Sequence, residues 1–250
     1  MTRTTSSKSL RLVPASTLLL CTLSLVVLPA CSQSQPTVST APAPAKASSA
    51  SSNRNFDRWE KFIAAYEEMD RTSPPPKGGV LFLGSSTIRG WKTLAEDFPQ
   101  YQVINRGFGG SHIVDSIHFA ERIIFPYEPR MIVLRAGGCD LHSGKPPEQV
   151  FADYKAFVAK MRARLPEVTI VYIGTNPTIR WWSDWEKTKA LNALVEEYAR
   201  TRPYLKYVEM SDLVLGPDGR PRPELFRDEL HFNTEGYELL ADRVRPFLKN

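Results

Sequence analysis

From about residue 80 onward, short and largely apolar runs alternate with longer stretches whose apolar positions recur every three or four residues. The runs at 80–83, 102–104, 131–134, 169–173 and 204–208 have the length of buried strands. Between them, 88–97, 111–124, 148–165 and 184–200 carry a helical period. The same period returns over 234–248, after Asn233, a residue suited to cap a helix N-terminus. One more helix is expected over 56–70, ended by Ser73-Pro74-Pro75-Pro76. Strand and helix in alternation predict an α/β domain, a parallel sheet of about five strands covered on both faces. The pattern does not fix the strand order; a flavodoxin-like order is the expectation.

The first fifty residues follow a different rule. Arg3, Lys8 and Arg11 precede a mostly apolar stretch from Leu12 to Leu28, and Pro29-Ala30-Cys31 closes it with small residues. This is the pattern of a secretory signal over 1–30 rather than of a membrane span. Leu28-Pro29-Ala30-Cys31 resembles the bacterial lipobox, which implies acylation of Cys31 and an extracytoplasmic, membrane-anchored protein. An ordinary signal peptide cut near Ala30 and an uncleaved anchor are the alternatives. Residues 31–54 are dominated by Ser, Ala, Pro and Thr without a periodic apolar face, and so read as a flexible tether. The remaining 55–250 is the size of one domain with its own core.

Charge and cysteine content narrow the function classes. The chain carries 32 Lys+Arg against 27 Asp+Glu, but three of the basic groups lie in residues 1–30. Without them the balance is 29 to 27, close to neutral. No basic block is interleaved with aromatics, so nucleic acid is not an expected partner. Cys21 lies inside the signal and Cys31 at its end, which leaves Cys139 without a partner and excludes a disulfide framework. Nothing in the sequence sets an oligomeric state.

Four clusters follow candidate strands or precede the last helix. Gly84-Ser85-Ser86-Thr87 stands where the first strand gives way to a helix, the end of an open α/β sheet at which such folds place their chemistry. It is not the G-x-S-x-G elbow, because Ile88 occupies the second glycine position. Alone it is equally a helix cap. Asn105-Arg106-Gly107-Phe108-Gly109-Gly110-Ser111 reads as a glycine-rich loop after the second strand, able to present backbone N–H groups to an oxyanion or to serve as a tight turn. Arg135-Ala136-Gly137-Gly138-Cys139-Asp140 follows the third strand. In Asp228-Glu229-Leu230-His231 a carboxylate three residues ahead of an imidazole can accept its Nδ1–H and leave Nε2 free to act as a base. His112, His118 and His142 show no metal-site spacing, and no metal or cofactor is expected.

These four clusters, in this order, resemble the blocks of the SGNH (GDSL) hydrolase family over essentially the whole domain. The resemblance implies a flavodoxin-like three-layer sandwich and ester hydrolysis through an acyl-serine, without a metal. It implies Ser86 as nucleophile, His231 as base and Asp228 as its orienting carboxylate. It also implies an oxyanion hole built from Ser86, Gly110 and the residue at 139. The family has Gly-x-Asn-Asp in its third block, whereas this chain has Gly137-Gly138-Cys139-Asp140, and a thiol is a weak donor beside an amide.

Trp181, Trp182 and Trp185, after the fourth strand, could form an acyl pocket or a sugar-stacking platform, or could pack that loop onto the domain. Arg106 and Arg135 could greet an acidic substrate, although solvated or internally paired arginines are the commoner case. The expected partner is therefore a small-molecule or glycan ester. The reading from another class is a catalytically weak member of the fold that binds a glycan or cell-wall ligand.

Overall fold

The computed structural model describes residues 54–249. The expectations for the signal, for acylated Cys31 and for most of the tether therefore lie outside the described residues. Five strands form one parallel sheet: β1 (Val80–Gly84), β2 (Val103–Gly107), β3 (Met131–Arg135), β4 (Thr169–Ile173) and β5 (Leu205–Val208). Their order is β2-β1-β3-β4-β5, the flavodoxin-like order. The order reverses between β1 and β3, so the crevice at the carboxyl ends of these two strands is the place for a ligand.

Both faces of the sheet are buried, which is why the strand sequences are nearly continuous apolar runs instead of alternating ones. Leu81, Leu83, Ile132, Leu134, Ile170 and Tyr172 belong to one core. It contains residues of α1 (Glu60–Thr72), α4 (Ile113–His118), α5 (Ala120–Ile123), α7 (Pro147–Arg164) and α8 (Trp185–Arg200). Phe82, Met131, Val133, Val171, Ile173 and Val208 belong to the other. That second core includes α2 (Ser86–Gly90), α3 (Leu94–Asp97), α9 (Ser211–Val214) and α10 (Thr234–Val244). A short helix, α6 (Gly138–His142), opens the β3–α7 connection. Asn233 caps α10, its Oδ1 accepting the Gly236 N–H at 3.0 Å.

Three departures from the sequence expectations have local causes. The helix expected over 88–97 is two helices, because the buried Trp91 leaves helical geometry to enter an aromatic cluster with Phe82, Phe98 and Tyr237. Asn105 captures the carbonyls released at that point, its Nδ2 donating to Ile88 O at 2.7 Å and Trp91 O at 3.5 Å. The stretch 111–124 likewise divides at Phe119, which is buried against Phe108. Asn105, Arg106 and Gly107, expected to lie in a loop, are the last three residues of β2 and stay in register with Phe82, Leu83 and Gly84. Arg106 is held internally, bonded to Asp70 and donating from Nε to the Tyr127 hydroxyl at 2.7 Å, so it does not greet a substrate.

Candidate active site

The site begins with a glycine that nothing else can replace. Gly84 ends β1 at φ 144°, and a Cβ there would stand 2.0 Å from the Arg135 carbonyl oxygen. The chain can therefore turn tightly beside the end of β3, where the Ser85 N–H donates to that same oxygen at 3.3 Å. Ser85 is the residue before α2, and Ser86 opens the helix. The last helix fixes this turn from the side: the Tyr237 hydroxyl donates to Thr87 O at 2.9 Å.

The partner loop is shaped by an antiparallel bridge between Phe226 and Phe232, whose rings stack at 5.3 Å. Within it the Arg227 N–H donates to His231 O at 3.0 Å, and the Arg180 N–H donates to Glu229 O at 3.0 Å. These contacts present His231 to Ser86, with Nε2 and Oγ 3.1 Å apart. His231 Nδ1 lies 3.0 and 3.1 Å from the two oxygens of Asp228. A carboxylate can only accept, so Nδ1 carries the proton and Nε2 is left with a lone pair facing the serine hydroxyl.

Asp228 is fixed as firmly as the base. Its Oδ1 accepts the backbone N–H of Leu230 at 2.9 Å and of His231 at 2.7 Å. Burial opposes ionisation, but the two backbone donors and the His231 ring outweigh it and hold the carboxyl far below the usual carboxylate range. Asp228 is thus ionised near neutral pH. Three residues separated by 145 positions are brought into one relay.

Beside Ser86 lies a small cavity of about 40 Å³. Ser85, Thr87, Arg135, Gly138 and Cys139 line it from β1 and β3. Thr175, Asn176, Thr178 and Trp181 line it from the segment after β4, with Leu230 and Phe232 from the histidine loop. Cys139 sits in the first turn of α6, and burial pushes its thiol pKa up in spite of a hydrogen bond with Ser85. It is a neutral thiol near pH 7, not a thiolate nucleophile. Asp140, beside it, is fully buried and ties this loop to its neighbours, accepting from Lys145 Nζ at 2.9 Å and from the Ile113 N–H at 3.3 Å.

Gly110 does not line the cavity. It occupies the turn between β2 and α4 at φ 73°. Trp59 Nε1 donates to Gly109 O at 3.0 Å, and in a planar trans peptide the Gly110 N–H must then point away from that indole.

Of the three tryptophans expected as a platform, only Trp181 reaches the cavity, backed by a stacked His142 ring at 4.2 Å. Trp182 and Trp185 are three apart across a helical turn, which puts them on one side, where they stack on each other at 6.3 Å. Arg220 covers Trp182 at 4.7 Å. The idea of a three-ring platform is corrected to a single ring.

The Thr175–Thr178 segment was not singled out in the sequence, although Gly174-Thr175-Asn176-Pro177 follows an apolar strand just as the other clusters do. Its position at a strand's carboxyl end was the available signal. Asn192 of α8 holds it, accepting the Thr175 N–H at 3.0 Å and donating to Thr175 O at 2.8 Å.

The model of the GDSL-like Lipase/Acylhydrolase family matches residues 79–239. The chain belongs to that family. Solved structures agree at the level of the fold. A proposed platelet activating factor from Streptococcus pneumonia is 19% identical, with 77% of this chain and 94% of that one covered at a TM-score of 0.69. A GDSL-like lipase from Bacteroides thetaiotaomicron is 19% identical, covering 78% and 97% at 0.63. The acetyl xylan esterase AlAXEase is 20% identical, covering 68% and 99% at 0.56. No curated protein matches the chain. Among the described residues no helix is long and apolar enough to cross a membrane.

Proposed function

We propose that this GDSL-like acylhydrolase is a serine esterase that removes a short acyl group through an acyl-enzyme on Ser86. The observation that carries this reading is the relay from Asp228 through His231 to Ser86, at 3.0 and 3.1 Å. His231 Nε2 takes the hydroxyl proton as Ser86 Oγ attacks the ester carbonyl. The negative charge that develops on the carbonyl oxygen is received by the N–H groups of Ser86 and Gly110, with the Cys139 thiol a weaker third donor. The tetrahedral species collapses, the bond between the former carbonyl carbon and the alkoxy oxygen breaks, and His231 gives its proton to the leaving alcohol. Water repeats the cycle and releases the acid. Asp228 orients and charges the base without taking its proton.

The small cavity supports a short acyl group. About 40 Å³ accommodates only a few water-sized groups, which suits an acetyl or similarly short chain and not a fatty acyl chain. Trp181 supports a sugar ring on the leaving side, so an acylated glycan remains within this reading.

Residues 55–250 would form the catalytic domain, carried on a tether from an acylated Cys31. Such an anchor would hold the enzyme at a bacterial membrane, outside the cytoplasm.

A fluorophosphonate probe followed by peptide mass spectrometry tests the mechanism. The adduct is expected on Ser86 and should vanish in Ser86→Ala. An adduct on Ser85 or Cys139 would overturn the assignment.

A further inference from the structure

Arg135 is the last residue of β3, and strand alternation sends its side chain to the same face as Met131 and Val133. That face is the second apolar core, and the residue is only 6% exposed. A guanidinium cannot shed its charge at neutral pH, so burying one requires compensation. Other cations away from solvent have it: buried Arg106 is paired with Asp70, and half-buried Lys145 with both Asp140 and Asp153. Among the described residues, no Asp or Glu oxygen lies within 4.0 Å of the Arg135 guanidinium. Its Nη2 donates to Asn176 Oδ1 at 2.5 Å, a neutral acceptor, and its Nε–H has no acceptor at all. The titratable groups around it, Tyr172, Cys139, Tyr237 and Tyr207, are neutral near pH 7. Arg135 also lines the cavity beside Ser86, where a ligand can supply the missing counter-charge.

We propose that Arg135 determines substrate specificity by receiving a carboxylate carried on a short acyl group, so that the favoured substrates are half-esters of small dicarboxylic acids. This rests on the esterase reading above. The acyl half is the relevant one. It stays bonded to Ser86 after the alcohol has left, and so is held at the cavity through both halves of the reaction. The planar guanidinium carries more N–H donors than Asn176 takes up, and such a fork matches a carboxylate bidentately. The walls contributed by Ser85, Thr175 and Thr178 are hydroxyl-bearing, as suits a polar acyl chain. During turnover the distal carboxylate remains ionised against Arg135. Ser86 Oγ bonds to the ester carbonyl carbon and the alkyl oxygen departs with the proton from His231. Water then releases the dicarboxylate.

The test compares 4-methylumbelliferyl hemisuccinate and hemimalonate with the butyrate and the methyl-succinyl diester, neutral partners of similar length. Wild type should favour the anionic acyl groups at least tenfold in kcat/KM, and Arg135→Met should reduce that ratio at least tenfold. Should Arg135→Met fail to fold, Asn176→Asp decides. It installs a fixed counter-ion at the 2.5 Å contact with little change of shape, and should abolish the preference. Wild type that cleaves neutral esters as well as anionic ones would overturn the assignment to Arg135 and leave the esterase reading standing. If no ester is cleaved, the esterase reading fails and binding decides for Arg135. Succinate or malonate should then raise the melting temperature above that in butyrate at equal ionic strength, and Arg135→Met or Asn176→Asp should remove the difference. No such rise in wild type would sink the proposal.

Discussion

Replacing Cys139 by Asn places an amide N–H where the family's third block carries one. Cys139 lies in the first turn of α6 and lines the cavity beside Ser86, and under the proposed mechanism its side chain would face the carbonyl oxygen as it becomes charged. Loss of one oxyanion donor typically costs about 10²–10³ in rate, roughly 2.7–4 kcal/mol. Against that gain, the substitution gives up the interaction of the Cys139 thiol with Ser85. The amide also consumes part of a cavity of only about 40 Å³. The net expectation is a rise in kcat of at least about tenfold, equivalent to roughly 1.4 kcal/mol of barrier. KM should change little, because the charge develops only in the transition state. Steady-state kinetics on a short-chain ester, with circular dichroism to establish folding, measures it. A folded Cys139→Asn that is no faster, together with a Cys139→Ala as active as wild type, would show that residue 139 lies outside the oxyanion site.

Three further outcomes are expected. Gly84→Ala forces a Cβ to within 2.0 Å of a carbonyl oxygen at a φ that side chains avoid, so it should cost about 2–4 kcal/mol and lower Tm by roughly 5–15 °C. An unchanged Tm by calorimetry would contradict the tight turn. Burial, reinforced by Arg54 and Lys145, lowers the His112 pKa to about 3, so the unfolded chain binds a proton that the folded one refuses as pH falls from about 6.5. This share of stability is present above about pH 6.5 and is lost on acidification, on the order of 2 kcal/mol by pH 4.5. Urea unfolding at both ends of that range should show His112→Asn keeping it, and an identical pH slope in the variant would remove His112 as the cause. Cys31→Ser should abolish incorporation of a fatty-acid analogue and release the protein from membranes, the more so because each buried methylene contributes about 0.8 kcal/mol to anchoring. Persistent labelling would exclude acylation at that residue.

The sheet was legible because its strands are buried on both faces. Val80–Gly84, Met131–Arg135 and Thr169–Ile173 each appear as an apolar run bounded by punctuation, and no tertiary information is needed to see them. The roles of Ser86, Asp228 and His231 were implied by the resemblance of their clusters to the family's blocks, and the three-residue spacing of Asp228 and His231 added only that a carboxylate could orient that imidazole. The division of the 88–97 helix was not, because it depends on where Trp91 finds apolar neighbours and on an Asn105 side chain arriving from another strand. The sidedness of Trp182 and Trp185 was hidden for a similar reason, since indole rings are as well satisfied by each other and by Arg220 as by a ligand. Arg106 and Arg135 look alike in sequence. Only the arrival of Asp70 at one and of nothing but Asn176 at the other separates them.

That separation bears on why a cysteine at position 139 is compatible with this fold. The parallel ladder ends at Gly84 and Arg135, and the groups that face the cavity are carried by the segments that follow. Residues 131–134 belong wholly to the two cores, whereas Cys139 contributes to neither. A change there removes no strand or core contact, and acts on the cavity and on Ser85 beside the nucleophile. Fold and reactivity are therefore specified by different residues of one connection. The match to the family establishes the first, and the proposals for the second rest on Arg135, Cys139 and Ser86, three side chains around one small cavity.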